Sequence, residues 1–164
     1  MEIFFLFVKL FFVLFFTLLT LYLSIRVINL MTYGIDEWEE IKKGNLAVGL
    51  FYFFSISSIF IMCHGSIEKI LELPLKNISF SSNLYLYFIA TINYFFQILF
   101  AFGMIYLGFG VLDKITFDIE ESYELKKGNI AVSLYIGLLL LVIGLFTSGL
   151  MNGTYEYIYF SLIG

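Results

Sequence analysis

Two pairs of carboxylates stand three residues apart, Glu37 with Glu40 and Glu121 with Glu124, and each pair is followed by Lys-Lys-Gly-Asn. That spacing puts both acids of a pair on one face of a helix. Together with Asn45 and Asn129 they form oxygen-rich clusters, which suit a hard cation such as magnesium or calcium or the basic segment of a partner. The same residues have a purely structural use. Gly44 and Gly128 can take the left-handed conformation that closes a short helix. Asn45 and Asn129 can accept the orphan N–H groups that open the next one. Lysines sit beside the acids and neutralise them, which favours the capping use over the cation site.

Other reactive side chains are scarce. One cysteine, Cys63, excludes an intrachain disulfide framework, and one histidine, His64, excludes a histidine-rich metal site. No nucleophile–base pair, HExxH motif or metal triad is present in the sequence. No catalytic, cofactor-binding or metal-binding residue is assigned, no cofactor is implied, and the expectation is a non-enzymatic protein.

The elements that position these residues follow from composition. Of 164 residues, 61% are hydrophobic and only 13% charged, with a mean hydropathy of +0.97. Soluble domains carry about 25% charged residues, so the chain is expected in a lipid bilayer. A net charge of −4 leaves no basic patch for nucleic acid. A span needs roughly 20 apolar residues, and four segments provide them: about 3–28, 46–64, 84–112 and 130–151. Lipid tolerates no open strand edges, so all four are helices. The start, Met1-Glu2, is acidic and no small-x-small cleavage site follows, so the first span is expected to be retained. In the middle connector Ile67, Ile70 and Leu71 oppose Glu68, Lys69 and Glu72, which predicts a brief interfacial helix stopped at Pro74. After Asn152-Gly153, the aromatics Tyr155, Tyr157, Tyr159 and Phe160 suit the headgroup level.

The motif is duplicated. Residues 37–51 return at 121–135, a shift of 84 positions, with nine of fifteen columns identical. Weaker matches extend outward: Tyr22-Leu23 with Tyr106-Leu107, Ile35 with Ile119, Gly65 with Gly149. Two spans per unit return the chain to its starting side, so the repeats must run parallel about an axis along the membrane normal. The expected fold is therefore all-α: four transmembrane helices from two helix–connector–helix repeats, with short interfacial helices in the connectors. The units are repeat 1 (1–65), an interfacial connector (66–83), repeat 2 (84–151) and an aromatic outer tail (152–164). In the first motif helix Ile35, Trp38 and Ile41 form an apolar stripe, with Trp38 as membrane anchor. Arg26, Lys42, Lys43, Lys114, Lys126 and Lys127 lie on the motif side, against Lys9, Lys69 and Lys76 opposite. That surplus places the motif connectors in the cytoplasm and both termini outside.

At Glu40–Ala47 (Glu-x-x-Lys-Gly-Asn-x-Ala) and Glu124–Ala131 (Glu-x-x-x-Gly-Asn-x-Ala) the chain resembles domain of unknown function 350, the family that includes tandem-repeat, YjfL-like bacterial inner-membrane proteins. The resemblance spans nearly the whole chain. It implies a multi-pass protein of the bacterial cell inner membrane, associated with envelope stress or maintenance. It supplies no catalytic residues. One departure is that Phe53 and Phe60 stand where the second repeat has Gly137 and Gly144.

Inside the spans, Ser133, Gly137, Gly144 and Ser148 share one face of the fourth, and small residues mark close helix contacts. The expectation is that Phe53 and Phe60 of the second span fill the groove around Gly137 and Gly144, or that these glycines face a neighbouring subunit. The deepest polar groups, Asn93 and Gln97, lie four apart on the third span and suit interhelical hydrogen bonds or a polar lining. These features point to an integral module that forms a homo-oligomer or scaffolds a membrane-protein partner within the lipid bilayer. The alternative is an oligomeric channel or small transporter with its path near Asn93 and Gln97.

Overall fold

The computed structural model describes the backbone of residues 2–32, 34–72, 80–116 and 120–163, with side chains for these except 2, 5, 72, 80–83 and 151–163. Six helices follow one another: α1 (Glu2–Met31), α2 (Glu37–Lys42), α3 (Leu46–Glu72), α4 (Phe80–Ile115), α5 (Glu121–Lys126) and α6 (Ile130–Ile163). No strand occurs among the described residues. Four of the helices are long and apolar enough to cross a membrane, over Leu6–Met31, Leu46–Leu71, Leu84–Ile115 and Ile130–Leu150. The protein is an integral, multi-pass membrane protein. Its outer faces carry large apolar side chains such as Phe11, Phe96, Leu99 and Phe146, as a surface solvated by lipid requires.

Pairwise contacts set the directions. Lys9 Nζ of α1 donates to the Leu71 carbonyl near the far end of α3 (2.7 Å), and Thr32 just past α1 meets Tyr52 near the start of α3 (3.2 Å), so α1 and α3 are antiparallel. Phe51 with Phe109 and Ser66 with Asn93 make α3 and α4 antiparallel too. Ala47 with Ser133 and Ser58 with Leu140 make α3 and α6 parallel. The two repeats therefore run in the same direction, as the chain arithmetic requires.

The α3–α6 contact is the most extensive in the chain. Half of the α3 membrane window is buried, against 17% in α1, 28% in α4 and 33% in α6, so α3 is the hub. Its inward face is built from Ala47, Val48, Ser55, Ser58, Cys63 and Ser66, all buried. In lipid no hydrophobic force drives helices together, and small residues gain contact by letting backbones approach. The duplication is not followed by full symmetry. α4 packs across onto α3, whereas α1 makes little contact with α6.

Two expectations about boundaries need correction. Residues 66–72 are the last two turns of α3 rather than a separate interfacial helix. Ile70 is fully buried in the bundle core and Ile67 packs partly against it, while Leu71 stays exposed, so contact with protein continues along the helix past residue 65. Pro74 and Lys76 lie outside the described residues, as does Ile119. Likewise α6 continues through Asn152 and Gly153 to Ile163, so the tail extends the last helix; its aromatic side chains are outside the described set.

Candidate functional site: the paired membrane-edge connectors

Each motif begins with a cap. Asp36 has extended backbone and its Oδ1 accepts from Glu39 N (3.1 Å), opening α2. Glu120 occupies the matching place before α5 without a side-chain cap bond. Both short helices then close alike. Gly44 and Gly128 have φ of +80° and +79°. In the first copy Asn45 N reaches Glu40 O and Gly44 N reaches Ile41 O, both at 2.9 Å. In the second, Asn129 N reaches Glu124 O and Gly128 N reaches Leu125 O, both at 3.0 Å. This pair of crossed bonds satisfies the last carbonyls of the helix and needs a left-handed residue at the turn.

The asparagines then start the next span. Asn45 Oδ1 accepts from Ala47 N (3.1 Å) and Val48 N (3.3 Å), and Asn129 Oδ1 accepts from Val132 N (3.3 Å). Their amide groups turn back to the motif acids: Asn45 Nδ2 donates to Glu40 Oε2 (2.9 Å) and Asn129 Nδ2 to Glu124 Oε2 (2.7 Å). The other carboxylate oxygen of each takes a lysine, Lys43 at 2.9 Å and Lys127 at 3.3 Å. The asparagine bond and the lysine hold the Glu40 and Glu124 carboxyls below their ordinary value. Bonding to the same carboxylates raises Lys43 and Lys127. Both oxygens of each acid thus face N–H donors, a poor arrangement for coordinating a cation.

Glu37 and Glu121 do something else. They are 7% and 4% exposed, turned into the bundle rather than toward Glu40 and Glu124. Asn29 Nδ2 donates to Glu37 Oε1, and the Thr116 hydroxyl donates to Glu121 Oε1. Tyr52 in turn donates to Asn29 Oδ1 (2.7 Å). The two acids of each pair therefore serve different partners. Among the described residues no group of three or more His, Cys, Asp or Glu side chains is placed to hold a metal ion.

The two connectors meet through one side chain. Asn45 Nδ2 also donates its second hydrogen to the α5 carbonyls, mainly Leu125 (2.9 Å) and shared with Lys126 (3.2 Å), tying the start of α3 to α5. Asn129 makes no matching bond to α2 among the described residues. The motif is thereby one surface rather than two, bearing exposed Lys42, Lys43, Lys126 and Lys127. Trp38 and Ile41 are exposed at its edge, while Ile35, the third member of that stripe, is buried.

Below this surface the spans are locked. Ser133 Oγ donates to Ala47 O and Ser58 Oγ to Leu140 O, both at 2.6 Å. A Cβ added at Gly137 would lie 2.8–3.1 Å from Phe54, and one at Gly144 would meet the Ser58 backbone at 3.0–3.1 Å. The partners expected for these glycines must be corrected. Phe53 is 62% exposed and points to lipid, Phe60 is half-buried, and Phe54 and Ser58 fill the groove instead. Ser148 bonds its own helix at Leu145 O (2.8 Å) rather than extending the contact. Asn93 Nδ2 donates to Ser66 across α3–α4 (2.9 Å). Gln97 is buried and its Oε1 has no partner among the described residues.

Asn29, Thr32, Tyr52, Phe54, Ser58 and Thr116 were not singled out by motif. One signal was available: Thr32 and Thr116 are 84 apart, the repeat shift, and each hydroxyl lies within 3.0 Å of the carbonyl four residues earlier.

The sequence pattern of the family described as Domain of Unknown Function (DUF350) matches residues 3–151. The chain belongs to the DUF350 family. The match covers both motif copies and all four membrane windows, so the duplicated clasp described above lies wholly within the DUF350 region. No curated protein and no solved structure matches the chain.

Proposed function

We propose that this DUF350 chain is a non-enzymatic integral membrane module that assembles with other protein chains, as a homo-oligomer or as a scaffold for a partner, in the bacterial inner membrane. The observation that carries this reading is the bond from Asn45 to Leu125 and Lys126. It joins two connectors into a single polar surface with four exposed lysines, set on a membrane bundle whose interior is filled by the α3–α6 contact. A surface tied together by these bonds, with no metal-holding cluster among the described residues, suits recognition of a protein at the same membrane face. The lysine excess on that side favours a cytoplasmic placement, with a role in envelope maintenance implied by the family resemblance.

The channel reading is less well supported. Asn93 is engaged by Ser66 and Gln97 is 1% exposed. Gln97 is buried within one chain, so a path between copies would not be lined by it.

A photo-crosslinking residue at Lys42, irradiated in the native membrane, tests the module reading. A discrete crosslinked species, a second copy or one partner, is the expected result, and it should disappear when Lys126→Glu is added to the same chain. A chain that crosslinks only to lipid contradicts it.

A further inference from the structure

α1 and α4 run side by side, with the ring centroids of Phe16 and Tyr94 4.2 Å apart. Nearer the connectors they border an open groove of about 680 Å³, closed above by the start of α5. The two ends of the groove differ. Its membrane end is apolar, with exposed Leu30, Tyr106, Leu107 and Val111. Among the described residues its connector end carries three carboxylates, Asp113, Glu120 and Glu121, beside one amine, Lys114. Glu121 is 4% exposed and its partner among the described residues is the neutral Thr116 hydroxyl.

We propose that this groove is a lipid site selective for a phospholipid with a primary-amine headgroup. The acyl chains lie along Leu30, Leu107 and Val111, in continuity with the bilayer. The ammonium sits among Asp113, Glu120 and Glu121, which offer charge-assisted hydrogen bonds at the water-poor edge of the membrane. Lys114 serves the phosphate. The excess of carboxylates decides between headgroups. A purely anionic lipid such as phosphatidylglycerol would set its phosphate against this negative end with nothing to offer the acids. Gly110 on the groove wall has open space around the position of a Cβ, so the cavity extends to the α4 backbone there.

The test uses the full chain in nanodiscs holding equal amounts of phosphatidylethanolamine and phosphatidylglycerol. The protein is then released into detergent and its retained lipid identified by mass. The expected result is enrichment of phosphatidylethanolamine by about fivefold over the disc composition, the scale of one partly exposed ion pair. Asp113→Asn/Glu120→Gln changes only exposed side chains and should return the ratio to that of the disc. Gly110→Phe should abolish retention while leaving the helix content intact. Retained lipid at the disc ratio, enrichment in phosphatidylglycerol, or an enrichment unchanged by the double substitution overturns the proposal.

Discussion

Asn45 at the start of α3 donates to the Leu125 carbonyl in α5, 2.9 Å away and 80 positions along the chain. The same side chain caps its own helix and holds Glu40. Its repeat counterpart Asn129 caps and holds an acid, but among the described residues makes no bond across to the other repeat. A duplicated sequence has thus acquired one unequal contact, and that contact joins the halves.

Asn45→Ala should destabilise the protein by about 2 kcal/mol, roughly 1 for the lost cap and 1 for the bond to α5. Asn129→Ala should cost about 1 kcal/mol less, since it loses a cap and a bond to Glu124 that match those of Asn45 but no bond to the other repeat. Asn45→Asp keeps an acceptor for the helix N–H groups but brings a second carboxylate to Glu40 and no donor for Leu125. It should therefore be no better than alanine. Denaturant titration in mixed micelles compares the three, and equal losses at both asparagines would contradict the unequal roles.

The membrane-embedded glycines should rank by what surrounds them. Gly144→Ala forces a methyl against the Ser58 backbone, which cannot rotate away, and should cost about 1–3 kcal/mol. Gly137→Ala meets the ring of Phe54 and also its Cβ, which is fixed to the α3 backbone, at 2.8–3.1 Å, and should cost a similar amount. Gly137→Leu should disrupt the bundle. Gly103→Ala has open space and should be neutral or stabilising by up to about 1 kcal/mol, through helix propensity. Thermal unfolding of the four variants gives the order directly.

Most of the architecture was legible in the sequence, because bilayer thickness and strand-edge energetics leave little choice for four long apolar runs. The clasp was legible too, since Gly44 and Asn45 act through local backbone geometry. The facing of the spans was not. Phe53 and Phe54 are equally apolar neighbours, and in lipid the outward face is as hydrophobic as the inward one. Only tertiary contact decides that Phe54 lies over Gly137. The end of α3 was misjudged for a related reason: Ile67, Ile70 and Leu71 fit a surface-lying helix as well as a continuing one. The burial of Glu37 depends on Asn29, which ends a different helix, so no local pattern announces it.

The clasps should carry a defined pH dependence. The Glu40 and Glu124 carboxyls are held below their ordinary value of 4.5 by Asn45, Asn129 and the lysines. Their contribution is complete above 4.5 and lost as pH falls through the lowered folded-state values. Lys43 and Lys127 are raised above 10.5, so their contribution is complete below 10.5 and lost as pH rises past the raised values. Stability should therefore show an acid-side loss beginning below about 4.5 that shrinks in Glu40→Gln/Glu124→Gln. Melting temperature against pH for both proteins checks this, and superimposable acid limbs would refute it.

The claim that this bundle acts by assembling with other chains is tested most directly by native mass spectrometry of the protein released gently from its own membrane. The account predicts a single complex of fixed stoichiometry containing more than one protein chain. A lone chain carrying only lipid, across a range of mild detergents, would contradict it.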